Sequence, residues 1–139
     1  MRLFVKLLHP AAKVPSKAHG TDAGYDLHST VDVYIPPGAT LSVPIGIATA
    51  FDEGYVALVW PRSSSGLAGI DVFAGVVDAG YRGEWRVVLY NSTDADVLIR
   101  VGDRVAQVLF QRVEDPDVDL VERLPDSDRG TAGWGSSGV

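Results

Sequence analysis

An all-β fold, a sandwich or barrel such as a jelly roll, is what the sequence predicts for this chain of 139 residues. Three observations lead there. Short β-favouring runs recur between turn signals, at the spacing such architectures use. Fifteen Gly and eight Pro supply the punctuation. No segment sustains a helical apolar period for three turns, and only 62–69 has room for a short helix.

In order, the predicted strands are 2–8, 31–35, 40–50, 55–60, 70–77, 85–91, 96–101, 104–113 and 118–123. Val31, Val33 and Ile35 alternate with Asp32 and Tyr34, as in a half-buried strand. Pro36-Pro37-Gly38 then forces a turn. Trp85-Arg86-Val87-Val88-Leu89-Tyr90 is aromatic and β-branched, which suits a pleated surface. Residues 1–125 are expected to form one domain and 126–139 a flexible C-terminal arm. From Arg129 onward the glycines and serines cannot build a core. That stretch is either a disordered tail or an arm that closes on a ligand, with Arg129 and Trp134 as its contacts.

Composition narrows the function. Hydrophobic residues make up 46% and charged residues 22%, which is ordinary for a globular domain. The formal charge of −6 disfavours duplex nucleic acid as a partner. It leaves room for an anionic small ligand, because a few local arginines can outweigh the global field. With no Cys there is no disulfide framework, thiolate nucleophile or Cys-based zinc site. Lys6 interrupts the apolar start, which is too short for a signal peptide. No apolar run approaches the ~20 residues of a bilayer span. The expectation is a soluble, cytoplasmic protein with no nucleic-acid or membrane partner.

Five segments carry candidate chemistry. Gly75-Val76-Val77-Asp78-Ala79-Gly80-Tyr81-Arg82-Gly83 puts a carboxylate at a strand end, with a glycine-flanked tyrosine three residues on. That is the anatomy of a general base beside a binding slot, or of a surface turn. Arg62-Ser63-Ser64-Ser65-Gly66 offers a guanidinium and hydroxyls to phosphate oxygens, or a polar turn capping a short helix through Ser63 or Ser64. Ala23-Gly24-Tyr25-Asp26-Leu27 holds Asp26, by itself readable as a turn aspartate. In Gly102-Asp103-Arg104-Val105-Ala106-Gln107, the glutamine enters an apolar run, where a paired core amide is the commoner role. The C-terminal stretch is the fifth. His9, His19 and His28 have no metal-ligand spacing, and His28 reads as exposed or turn-stabilising.

Together and in this order, these segments resemble the five motifs of the homotrimeric dUTPases (deoxyuridine triphosphate nucleotidohydrolases). The resemblance runs over nearly the whole chain. It implies a jelly-roll-like homotrimer in which three subunits form each active site and one subunit's arm covers another's site. It also implies cleavage of dUTP to dUMP and pyrophosphate, which keeps dUTP low and supplies dUMP for thymidylate synthesis.

By the same resemblance, Asp78 would activate the attacking water. Ser63 would sit near the α–β bridging oxygen, Arg62 and Gln107 would contact phosphates, and Ser64 would bind substrate. Arg129, Ser136 and Ser137 would grip the γ-phosphate from the arm, and Trp134 would stack on uracil. Gly75 would let a β-hairpin around 71–77 approach uracil closely, and Tyr81 would stack on deoxyribose. Mg²⁺ is the implied cofactor, held mainly by phosphates, with Asp26 touching it through water.

The chain departs from the family pattern in four places. Trp134 stands where the arm usually has Phe, Ser64 where Gly is common, and Gly80 where many members have a second Asp. Val72 replaces an Asn that contacts uracil in some members. The alternatives are a dCTP deaminase relative, which shares the fold, a catalytically silent nucleotide-binding trimer, and a structural β-domain.

Overall fold

Where apolar residues alternate in this chain, one face of a strand is driven inward, and the computed structural model shows which. It describes residues 1–133. The strands are β1 (Leu3–Leu7), β2 (Tyr25–His28), β3 (Val33–Ile35), β4 (Thr40–Pro44), β5 (Ile47–Phe51) and β6 (Tyr55–Trp60). After one short helix, α1 (Ser63–Leu67), come β7 (Ile70–Phe73), β8 (Val76–Asp78), β9 (Arg86–Asn91), β10 (Val97–Ile99) and β11 (Arg104–Arg112). All pairings are antiparallel, in sheets ordered β1-β5, β10-β3, β2-β11-β6-β8 and β4-β9-β7.

One core serves all four sheets. Leu27, Ile35, Val43, Ile47, Leu89 and Val108 are shut off from solvent within it. Phe110 joins Tyr25 to Phe51 by edge-on ring contacts at 6.1 and 5.4 Å. The fold is all-β and jelly-roll-like, as predicted.

Four strand readings need correction. Tyr25–His28 forms β2, where the sequence reads as a turn. The single run 40–50 breaks between Pro44 and Ile47. Gly46 has φ 71°, and a Cβ there would crowd His9, Ala12 and Thr30, so only glycine fits this corner. The run 70–77 also breaks: β7 pairs with β9 and β8 pairs with β6, so the two enter different sheets. Residues 118–123 form no strand. A strand needs a ladder partner, and here Val118, Leu120 and Leu124 project into solvent, 91%, 102% and 77% exposed. Every described residue after Phe110 is exposed.

One polar side chain is built into the core. Asn91 is fully buried. Its Nδ2 donates to the carbonyls of Ile35 and Ala95, both at 2.8 Å. Its Oδ1 accepts from the Thr93 amide at 2.9 Å and the Thr93 hydroxyl at 2.7 Å. Removing it strands the buried Ile35 carbonyl, a loss worth roughly 1–3 kcal/mol, and frees the more exposed groups of Thr93 and Ala95 to meet water. Asn91→Ala is expected to lower unfolding free energy by about 2–4 kcal/mol, read from the urea midpoint at unchanged m-value.

Candidate active site

The four-stranded sheet has one face on the core and one face outward. Directly paired residues of an antiparallel ladder share a face. Gln107 of β11 pairs with Asp26 of β2 on one side and Trp60 of β6 on the other. The three therefore form one row on the outer face. Their neighbours Leu27, Val59 and Val108 point into the core.

Pro61 follows β6 and has no N–H to extend the ladder. Its carbonyl instead accepts Gln107 Nε2 at 3.0 Å. So Gln107 is a bonded amide, yet it also borders open space. Gly24 lies against it, and a Cβ at Gly24 would collide with the glutamine side chain.

Arg62 comes next, extended at φ −79° and ψ 151°, and leads into α1. Its Nε donates to Asp26 Oδ1 at 2.9 Å, and its Nη1 reaches Ser64 Oγ at 3.3 Å. Arg104 Nη1 takes the other oxygen, Asp26 Oδ2, at 3.4 Å. The carboxylate thus sits between two guanidiniums and is only 13% exposed. No side chain caps α1, so the serine hydroxyls are not used as sequence reading allowed. Asp22, Gly24, Asp26, Arg62, Ser63, Ser64 and Gln107 line a cleft of about 550 Å³.

Two titrating groups flank it. The His19 backbone N–H, 2.9 Å from Asp22 Oδ2, holds the Asp22 carboxyl below the usual range. His28 is half-buried in β2, not exposed, and pairs with Arg104. Burial pushes its pKa below the ordinary 6.5, and Lys13, Arg104 and Arg62 push the same way against the pull of Asp26. Its Nδ1 is buried with no hydrogen-bond partner.

The third segment lies elsewhere on the same face. Asp78 ends β8 and pairs with Val56 of β6. Val56 is four residues from Trp60, so this row lies about 13 Å along the strands from the row of Gln107 and Asp26, at ~3.3 Å per residue. Asp78 and Tyr81 line a separate cavity of about 230 Å³ with Ala74, Val76, Glu84, Trp85 and others. The Tyr81 hydroxyl donates to the Glu84 carbonyl at 3.1 Å.

Gly75 sits between β7 and β8. A Cβ there would run into the Val59 carbonyl oxygen, and Val59 N–H donates to the Gly75 carbonyl at 2.7 Å. Its missing side chain is thus used against β6. Ala74 beside it takes φ 53°, unusual for a residue with a Cβ. The stretch 71–77 is not a closed hairpin, since no ladder joins β7 to β8 among the described residues. Both are edge strands of their sheets, and residues of both, Asp71, Val72 and Val76, line one cavity.

Arg129 lies in the exposed chain after β11, where its Nε donates to the Ala132 carbonyl at 2.9 Å. Trp134, Ser136 and Ser137 fall outside the described residues. One chain therefore gathers Asp26, Arg62, Ser63, Ser64 and Gln107, and separately Asp78 and Tyr81, while Gly75 borders a third cavity, about 390 Å³, with Trp60, Pro61, Asp71 and Val72. Sequence reading did not assign Arg104, Asp22 or Trp85. Arg104 and Asp22 sit within or beside quoted segments, which was the available signal.

Comparison with known proteins decides what this arrangement belongs to. The family model described as dUTPase matches residues 11–138. The chain belongs to the dUTPase family. It is 49% identical over 143 residues to a deoxyuridine 5'-triphosphate nucleotidohydrolase of Rhodococcus erythropolis, covering 99% of this chain and 87% of that protein. It is 44% identical over 142 residues to a probable deoxyuridine 5'-triphosphate nucleotidohydrolase of Schizosaccharomyces pombe, covering both in full. A solved dUTPase of Staphylococcus bacteriophage 80alpha with dUPNHPP superposes at TM-score 0.93, with 30% identity over 99% of both chains. A dUTPase of S. aureus phage phi11, described with a structural Mg(II) ion, superposes at 0.84 with 26% identity, covering 91% of this chain and all of that one. This dUTPase is accordingly an enzyme of dUTP hydrolysis. Among its described residues no helix is long and apolar enough to cross a membrane.

The His28 environment gives a stability test. The folded pKa lies below the unfolded one, so the unfolded chain binds more protons in the interval between them. Stability is then full above the ordinary value of 6.5 and declines as pH falls towards the folded pKa. His28→Asn is expected to flatten that decline in thermal midpoints across the acid range, while leaving the region above it unchanged.

Proposed function

We propose that the two clefts are halves of a catalytic centre completed between copies of this chain, and that the centre cleaves dUTP to dUMP and pyrophosphate. The observation that carries this reading is the ~13 Å step, along one sheet face, between the Asp78 row and the Asp26–Gln107 row. A base works within about 3 Å of the proton it takes, or through one water. Asp78 of one copy must therefore meet the arginine cleft of another. A homotrimer is the assembly this reading adopts.

In the arginine cleft, Asp26 holds Arg62 by its Nε, leaving that guanidinium's outer edge for phosphate oxygens. Ser63, Ser64 and Gln107 add neutral donors around the chain of phosphates. Asp78, exposed at the end of β8, takes the proton of the water that attacks the α-phosphate. The edges of β7 and β8 around their shared cavity offer backbone donors and acceptors to the uracil edge. Cytosine presents the reverse pattern, and mismatched buried polar groups cost roughly 1–3 kcal/mol each. Tyr81 stacks on the deoxyribose and leaves no room for a 2′-hydroxyl.

Mg²⁺ fits the cleft as a guest of the phosphates. No group of three or more candidate ligand side chains occurs among the described residues. Such a donor set suits an ion that keeps several waters and is bound through one or two carboxylates plus substrate. Asp26 would hold one of those waters, and Mg²⁺ would neutralise phosphate charge when bound.

Residues 126–139 act as the arm, on the domain formed by 1–125. The arm brings Arg129, Ser136 and Ser137 to the γ-phosphate and Trp134 to the base, where stacking contributes about 1–3 kcal/mol. The exposed Val118, Leu120 and Leu124 leading to it support a tail that packs on another copy. A cytoplasmic enzyme acting on the free nucleotide pool is the setting we infer.

Pyrophosphate release from dUTP with Mg²⁺ is expected, with little from dCTP, dTTP or UTP. Ammonia release from dCTP, or tight dUTP binding without turnover, would sink this reading. Asp78→Asn is expected to keep dUTP affinity and lose ~10²–10⁴ in kcat; a near-normal rate removes Asp78 as the base. Truncation before Arg129 is expected to leave a folded trimer by light scattering with much reduced kcat/KM. Full activity there would make the arm dispensable.

A further inference from the structure

We infer that Arg82 is a positioning residue that holds the turn carrying Asp78 and Tyr81. The inference rests on the roles proposed above for those two residues. Its starting point is a weakness in the turn. Gly80 lies at its centre, and a Cβ built there would meet nothing within 4 Å. No packing restrains the chain at that point, and glycine has the most backbone freedom to lose.

Arg82 supplies the missing restraint. Its Nη1 donates to the Ala79 carbonyl at 2.6 Å and the Tyr81 carbonyl at 3.1 Å, one on each side of Gly80. A longer bond, 3.4 Å, reaches the Thr49 carbonyl of β5. β5 lies in a different sheet from β8, so the turn is tied to an element outside its own ladder. Within the turn, the Tyr81 amide donates to the Asp78 carbonyl at 3.1 Å. Gly83 lacks the Cβ that would strike the Tyr81 ring and hydroxyl. Hydrogen bonds from a charged donor are the stronger kind, so this guanidinium is the strongest single tether on the turn.

The guanidinium acts through the backbone. Arg82 lines a different cavity, about 350 Å³, with Phe4, Val5, Lys6 and Ala48–Ala50. It is not among the residues around the cavity of Asp78 and Tyr81. It holds from behind what those two present in front.

The test uses the full-length oligomer with Arg82→Ala and Arg82→Lys. Displacement of a reacting group by about 1 Å can cost ~100-fold, so Arg82→Ala is expected to lower kcat ~10- to 100-fold. KM for dUTP is expected to change less than kcat. The preference for dUTP over UTP should fall as well, because Tyr81 loosens with Asp78. Amide hydrogen exchange at Tyr81 should quicken while core amides such as Leu89 stay protected. Arg82→Lys should recover part of kcat, since one ammonium can still reach a carbonyl but lacks the planar fork.

Unchanged kcat and unchanged Tyr81 exchange in Arg82→Ala would overturn the inference. Quicker exchange with unchanged kcat would overturn it too, because the turn would then be held to no catalytic end. Asp78→Asn is measured alongside. If that variant turns over normally, the base assignment fails by itself, and the exchange data still report whether Arg82 holds the turn.

Discussion

The double pairing of Gln107 is the constraint on which the rest of the structure depends. β11 lies between β2 and β6, and Gln107 faces Asp26 across one ladder and Trp60 across the other. That register delivers Asp26 to Arg62 and sets where Pro61 releases the chain. It also sets how far away β8 must place Asp78. A slip of one residue would turn every side chain of β11 to the opposite face, burying Gln107 and exposing Val108. Val108 is fully buried and Phe110 is locked between two rings, so such a slip is strongly opposed. The hydrophobic face of the sheet therefore aims the polar face.

Electrostatics in the cleft follow from the same row. The chain carries −6 overall, yet here Arg62 and Arg104 flank Asp26, and with Asp22 also on the lining the positive and negative charges are matched. A carboxylate between two guanidiniums orders them without cancelling both. His28 belongs to this neighbourhood too. Its pKa is lowered first by burial and then by the cations around it, so a further positive charge beside the arginines is disfavoured.

Much of this was legible in the residues. The strand at 55–60 matches β6 to the residue, and the helical piece near 62–69 contains α1. The alternation of Val31, Val33 and Ile35 does mark buried and exposed faces. What stayed hidden has physical causes. β2 spans four residues and begins beside Ala23-Gly24, so its period is too short to stand out from a turn. The breaks at 44–46 and 74–75 carry turn residues, Pro44, Gly46 and Gly75, but β-favouring residues on both sides let each run read as one strand. Residues 118–123 have the composition of a strand, and composition cannot say whether a partner edge exists. Individual site segments were ambiguous, and their order along the chain is what pointed to the family. That one chain holds the segments in separate places depends on long-range register, which no local pattern encodes.

The gap between the two clefts also makes catalytic competence, on the reading proposed, a collective property. A well-folded solitary chain would be chemically idle, and dilution alone could silence the enzyme without unfolding it. A single damaged polypeptide entering an assembly would spoil a site shared with healthy neighbours. Selection on such an enzyme acts on the fit between copies as sharply as on any residue that touches nucleotide.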